Sequence, residues 1–269
     1  MPELPEVETT VAGLRTVLDG ARLTLVETRR ADMRFPFPPD LRQRLTGATV
    51  TGLGRRAKYG LVETDRGDTM IFHLGMSGRW RIDPAEIGKH DHLLVETAGH
   101  RLALHDPRRF GFVHLVESAA LSGYRHFAGL GPEPLGDELT VDYLAKALEN
   151  RIAPIKAMLL DQRIIAGLGN IYVCEALNIA GVAPTREAGR ISKARLVKLV
   201  EAIREVLRAA IAAGGSTLRD YARPDGELGY FAKDWRVYGR EGEVCPCGGI
   251  VRRRVDSGRS TFYCPSCQK

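Results

Sequence analysis

The chain opens Met1-Pro2-Glu3-Leu4-Pro5-Glu6-Val7-Glu8, and the second and third residues could do chemistry. An initiator methionine is commonly trimmed before proline, and the ring nitrogen of Pro2 is then a free secondary amine. Such an amine attacks carbonyl-like carbon, and with a reference pKa of about 8 part of it is neutral at pH 7. Glu3 beside it could give or take a proton. The same stretch also reads as a helix start. Pro5 suits a first turn, and acidic residues suit the positive end of the helix dipole. Val7, Val11, Leu14 and Leu18 make one apolar face, closed by Asp19-Gly20. On these residues alone the helix start is the simpler reading.

A second chemistry lies at the other end. Of five cysteines, four fall in the last 25 residues, as Cys245-Pro246-Cys247 and Cys264-Pro265-Ser266-Cys267 with sixteen residues between. Two cysteine pairs flanking a hairpin make a four-cysteine zinc ribbon, holding one structural zinc. The second pair has the usual C-x2-C spacing, while the first is one residue short, which tightens its bite. Ile250–Val255 and Ser260–Tyr263 are the expected strands, with Asp256-Ser257-Gly258 as the turn and Arg259 just after it. Arg252, Arg253, Arg254 and Arg259 make the ribbon either a basic finger aimed at phosphate or a solvated basic surface. The fifth cysteine, Cys174, sits in an apolar helical pattern and reads as core.

Between the ends, several short stretches could meet a polyanion. Arg55-Arg56-Ala57-Lys58-Tyr59 is a basic cluster at a strand edge, either solvated or gripping phosphate. Asp106-Pro107-Arg108-Arg109-Phe110-Gly111 sets arginines and a ring on a loop, suited to insertion into a base stack or to an ordinary core Phe. In His73-Leu74-Gly75-Met76-Ser77-Gly78 the glycines put Met76 on a loop tip, where it could act as a wedge. His90-Asp91-His92 is assigned no metal. Gly167-Leu168-Gly169-Asn170 would let a phosphate approach a helix N-terminus, or simply join two helices.

The elements that must position these residues fall into two patterns. Residues 21–27, 48–53, 61–64, 69–74, 92–97, 101–105 and 111–116 read as short strands, predicting an antiparallel sandwich or barrel. Residues 34–40 read as a loop. After a Gly129–Pro134 linker the pattern turns helical. Helices are expected from a Thr140 cap to Asn150, from Pro154 to about Gln162, over Ile171–Ile179, and over Ser192–Ala213. Residues 216–243 read as loop-rich, with a turn at Pro224-Asp225-Gly226.

At 269 residues with 44% hydrophobic content the chain can bury a substantial core. It has no apolar run long enough to span a bilayer and no signal-like start, so a cytosolic location is expected. A net charge of +6 suggests a polyanionic partner. No obligate protein partner is evident, and a monomer is expected.

Taken in this order, the quoted stretches resemble the formamidopyrimidine-DNA glycosylase family, bacterial repair enzymes for oxidised purines, over the whole chain. The matching segments also include Lys89–His92, Gly131–Leu135, Gly229–Gly239 and Arg259–Lys269. The Pro-Glu-Leu-Pro-Glu-Val-Glu-Thr start favours this family over its oxidised-pyrimidine sister. The resemblance implies an α+β multidomain fold: an N-terminal antiparallel β-sandwich with a flanking helix (1–131), a helix-two-turn-helix domain (132–235) and a zinc-ribbon hairpin (236–269). It implies a bifunctional glycosylase and abasic-site lyase acting on double-stranded DNA that carries an oxidised purine or an abasic site. Pro2 would be the Schiff-base nucleophile, Glu3 the proton donor, Lys58 the lysine of β-elimination and Arg259 the arginine of δ-elimination. Met76, Arg108 and Phe110 would fill the gap left by a flipped base, and His90, Arg108, Arg151 and Asn170 would contact DNA. Cys245, Cys247, Cys264 and Cys267 would hold the zinc. The shortened first cysteine pair departs from the family pattern.

Overall fold

The computed structural model describes residues 2–216, 224 and 231–269. Apart from Pro224 and Phe231, the loop expected around 217–231 lies outside the described residues, as does most of the expected turn at Pro224. The chain divides into two compact units, residues 1–128 with 213–232, and residues 129–212 with 233–269.

The first unit starts with helix α1 (Leu4–Leu18), N-capped by Glu3 and ending at Asp19 ahead of Gly20. Eight strands follow: β1 (Leu25–Thr28), β2 (Val50–Arg56), β3 (Tyr59–Thr64), β4 (Asp68–His73), β5 (Arg79–Ile82), β6 (Asp91–Glu96), β7 (Arg101–His105) and β8 (Phe112–Glu117), with a short helix α2 (Leu41–Leu45) between β1 and β2. They form two antiparallel four-stranded sheets, β1-β6-β7-β5 and β2-β3-β4-β8.

The strand period of two decides what each face buries. On β4, Met70 and Phe72 enter one core with Val62 of β3, Val113 of β8, Trp80 of β5 and Leu93, Val95, Leu102 and Leu104 of the other sheet. Val7, Val11, Leu14 and Leu18 of α1 pack into the same core. Ile71 points the other way and packs with Leu61 and Tyr124. The expected sandwich with a flanking helix is therefore the observed one.

Three details differ from the sequence expectation. Strand β5 stands where no strand was expected. Helix α2 stands directly after the Pro-rich stretch. Strand β2 runs to Arg56 instead of ending at Leu53, so the basic cluster forms a hairpin, with Arg55 opposite Gly60 and Arg56 opposite Tyr59.

The second unit contains α3 (Val141–Leu148), α4 (Ile155–Leu160), α5 (Asn170–Ile179), α6 (Lys193–Ala212) and the hairpin β9 (Arg252–Asp256) and β10 (Arg259–Tyr263). Thr140 caps α3 as expected, its hydroxyl accepting from the Tyr143 N–H at 3.0 Å. The hairpin turn is tighter than expected. Asp256 pairs with Arg259, leaving Ser257 and Gly258 as the two turn residues. Both have positive φ, 49° and 76°, the geometry that matches hairpin twist. Arg259 is thus the first residue of β10. Val237, Cys245, Val251 and Cys264 share a core with Cys174 of α5, so the ribbon packs on the helical layer and Cys174 is core, 1% exposed.

Candidate active site and nucleic-acid interface

Pro2 and Glu3 are buried at the head of α1. Glu6 holds them there: one carboxylate oxygen accepts the Glu3 N–H at 2.8 Å, and the other accepts the Ser216 N–H at 2.8 Å. The first of these bonds is half of a capping box, and it satisfies an N–H that the helix cannot. Both oxygens of Glu6 are engaged with the main chain, so Glu6 orients Glu3 through its backbone. Further along α1, Glu8 Oε2 accepts from Arg55 Nε at 2.7 Å, tying α1 to the β2–β3 hairpin. Arg55 also donates to the Ala57 carbonyl at 2.9 Å, across a turn where Ala57 takes φ +51°. That turn presents Lys58. Contrary to the solvated-cluster reading, Lys58 is only 8% exposed.

Close to Lys58 lies an aromatic and histidine layer. His73 stacks on Phe112, with ring centroids 5.3 Å apart and an interplanar angle of 16°. Its Nδ1 accepts the Gly75 N–H at 3.1 Å. Burial, then the charges of Lys58 and Arg34, push the His73 pKa down to about 4. The ring is therefore neutral at pH 7, with its proton on Nε2. His114 is pushed down to about 4 as well, chiefly by burial, and bonds Tyr124 through Nδ1.

Met76 and Phe110 are both large, apolar and about two-fifths exposed (40% and 42%). The structure brings their two loops together. Asp106, fully buried, accepts from Ser77 Oγ at 2.7 Å with one oxygen and from the Gly111 N–H at 2.8 Å with the other. Gly75, at φ +63°, lies so close to the Phe110 carbonyl that a Cβ there would collide with it. The Arg108 guanidinium sits over the Phe110 ring, 4.7 Å from its centroid. An exposed Met, an exposed Phe and a cation on a rigid double loop can fill a gap in a base stack. His90 stands at a neighbouring loop end that Asp91 fixes. Asp91 is buried and binds the Gly88 N–H, Arg81 and His105 at 2.7–2.9 Å. The hydrogen-bonding and charged partners hold its carboxyl below the usual range, although burial opposes them. Sequence reasoning missed both Asp91 and Asp106. The only available signal was a carboxylate beside His or Pro at a strand end.

In the second unit, Asn170 and Arg259 come together. Asn170 Nδ2 donates to the Ser260 carbonyl at 2.8 Å, next in chain to Arg259. The same carbonyl receives Lys156 Nζ at 3.2 Å, and Lys156 also donates to Thr261 Oγ1 at 2.7 Å. Thr261 in turn donates to Asp256, across the hairpin from Arg259. Lys156 is 3% exposed, and burial lowers its pKa. It was not singled out in the sequence, where it looks like a surface lysine of α4. Arg259 lines a cavity of about 710 Å³ with Lys156, Arg254 and Asp161. Gly167 (φ +84°) and Gln162 shape the approach to α5, Gln162 accepting the Gly167 N–H at 2.9 Å. Glu175 of α5 binds the N–H groups of Arg236, Val237 and Tyr238 at 2.8–3.0 Å. Arg151 is exposed on the loop between α3 and α4. Its main chain bonds Leu148 and Gly189.

The four ribbon sulfurs lie within 4.8 Å of one another. Cys245–Cys267 and Cys247–Cys264 are 4.0 and 3.5 Å apart. A tetrahedral zinc with bonds of about 2.3 Å places its sulfurs about 3.8 Å apart, so the set fits one structural zinc despite the short first pair.

A buried Pro2 at the head of a helix flanking a β-sandwich, a helical unit and a four-cysteine ribbon define a nucleic-acid-processing class. Models of the formamidopyrimidine-DNA glycosylase N-terminal domain match residues 1–113, of its H2TH domain 130–222, and of the zinc finger found in FPG and IleRS 242–269. The chain is 75% identical over 270 residues to the formamidopyrimidine-DNA glycosylase of Rhizorhabdus wittichii and 68% identical to that of Novosphingobium aromaticivorans, covering all of both chains in each case. The Lactococcus lactis Fpg solved with abasic-site DNA superposes with a TM-score of 0.93 at 34% identity over the full length of both chains. The Thermus thermophilus protein gives 0.90 at 40% identity, over 99% of this chain and 98% of that one. The chain belongs to the formamidopyrimidine-DNA glycosylase family. Among the described residues, no helix is long and apolar enough to cross a membrane.

Proposed function

We propose that this chain excises oxidised purines from duplex DNA and then cuts the strand at the resulting site. One observation carries the reading. Pro2-Glu3 is buried at the head of a helix whose Glu6 and Glu8 fix it, respectively, to its own cap and to the hairpin presenting buried Lys58.

The damaged nucleotide is extruded at a cost of about a few kcal/mol, offset by Met76 and Phe110 refilling the stack while Arg108 faces the orphaned base. Neutral Pro2 nitrogen attacks C1′, the glycosidic bond breaks, and the base leaves with its electron pair and takes up the proton that the amine gives up. Glu3 gives its proton to the sugar ring oxygen as the ring opens, leaving a positively charged iminium on Pro2. The iminium draws electrons from C2′, which loses a proton, and the 3′-phosphate departs. A second elimination releases the 5′-phosphate. Lys58 and Arg259 serve these eliminations and hold phosphates with Asn170, while His90 and Arg151 add backbone contacts.

Borohydride reduction on DNA carrying an oxidised guanine tests the scheme. A covalent protein–DNA adduct is expected, and it should disappear when one residue is added ahead of Pro2, which converts the amine to an amide. Salt-sensitive binding with no adduct would reduce the protein to a lesion binder. Glu3→Gln should keep binding while slowing base release by about 100-fold or more, read in single-turnover assays.

A further inference from the structure

One buried side chain faces the metal set from outside the ribbon. Asn178, near the end of α5, is 4% exposed. Its Nδ2 lies 3.7 Å from both Cys245 Sγ and Cys267 Sγ and donates to Gln268 Oε1 at 3.1 Å. Its Oδ1 accepts from Arg236 Nε at 3.0 Å. A guanidinium can only donate, so Arg236 fixes which end of the amide faces the sulfurs. Gln268 Oε1 also accepts the Cys264 N–H at 2.8 Å, extending the network to a third ligand residue.

The two cysteine pairs differ in what their first sulfur meets. In Cys264-Pro265-Ser266-Cys267 the first sulfur faces two main-chain donors, the N–H groups of Ser266 and Cys267. In the shorter Cys245-Pro246-Cys247 the first sulfur faces the N–H of Cys247 and the Asn178 amide. Four thiolates on one zinc carry a net charge of −2 into a site packed against Val237, Val251 and Cys174. Such charge needs N–H donors around the sulfurs, and those donors also fix the ligand geometry.

We propose that the Asn178 side chain supplies the N–H that the missing knuckle residue would otherwise bring, so that zinc retention depends on helix α5 as well as on the ribbon. The shortened first pair and the polar residue buried on α5 are then two halves of one arrangement.

The test measures zinc release from the full-length zinc-loaded protein into a chromogenic chelator. Asn178→Leu, which keeps the bulk and removes the donor, should release zinc about 10–100-fold faster. Asn178→Asp keeps the size and the bond to Arg236 but turns an oxygen towards the thiolates, and it should release at least as fast. In the cobalt-substituted protein both variants should shift the thiolate-to-cobalt absorption. Placing a glycine between Pro246 and Cys247 restores a C-x2-C pair and its main-chain donor, and in that background Asn178→Leu should change the release rate only a few-fold. Release rates equal to the parent's in both single variants would overturn the proposal. Acceleration of the same size with and without the inserted glycine would overturn it too, because the amide would then act through packing alone.

Discussion

Asp106 shows how much of this site is held by residues that do no chemistry. Its two carboxylate oxygens join the Met76 loop to the Phe110 loop, and it has no exposed surface. Asp106→Ala leaves the Ser77 hydroxyl and the Gly111 N–H without their acceptor, so a loss of about 2–4 kcal/mol is expected in urea unfolding. Asp106→Asn keeps the shape and one acceptor oxygen and should lose less. The residues that would react were legible in the sequence because their chemistry needs particular types in particular places: a proline at position 2, and cysteines in pairs. The residues that place them were not. Asp91, Asp106 and Lys156 are ordinary letters whose burial arises only when distant segments meet. For the Arg55–Tyr59 cluster the sequence left a solvated and a phosphate-gripping reading open, since a row of cations does not reveal that the turn at Ala57 leaves Lys58 only 8% exposed.

Elements were legible where local chemistry is strong. Thr140 announces α3, and the 3.6-residue period announces α1 and α6. Helix α2 and strand β5 were missed because five and four residues are too few for either period to show. In β5, moreover, Trp80 is the one fully buried side chain, between half-buried arginines. The sheet β2-β3-β4-β8 carries a consequence that its strands only acquire together. Its outer layer buries His73 and His114 as neutral rings, each with a pKa near 4 against an ordinary value of 6.5. The unfolded chain therefore binds more protons than the fold between those limits. The stability these two rings contribute is complete above pH 6.5 and falls as the pH drops towards 4, at up to about 1.4 kcal/mol per pH unit for each ring. Urea unfolding at pH 7.5 and 5.0 should show a lower midpoint at the lower pH. Carbon-resolved NMR of the His73 ring should show it still neutral at pH 5.0. A ring titrating near 6.5 would contradict this account.

At the scale of the whole molecule, a net charge of +6 says little about which cations meet DNA. Many arginines are already paired with carboxylates: Arg44 with Asp68, Arg55 with Glu8, Arg81 with Asp91, and the exposed Arg101 with Glu96. Arg151 and Arg259, on a loop and at a hairpin tip, are exposed and form no ion pair among the described residues. The difference predicts a pattern in salt dependence. Each phosphate neutralised releases counterions and contributes about 0.9 to the slope of log K against log salt on duplex DNA. Arg259→Ala and Arg151→Ala should each lower that slope by about one, while Arg101→Ala, which removes a cation already facing Glu96, should leave it unchanged. The measurement is binding to abasic-analogue duplex from about 50 to 200 mM salt. Weaker binding at an unchanged slope in Arg259→Ala would mean that this arginine acts through the hairpin's structure. A slope that falls equally in all three variants would overturn this assignment, because an arginine that neutralises no phosphate releases none of the duplex's counterions.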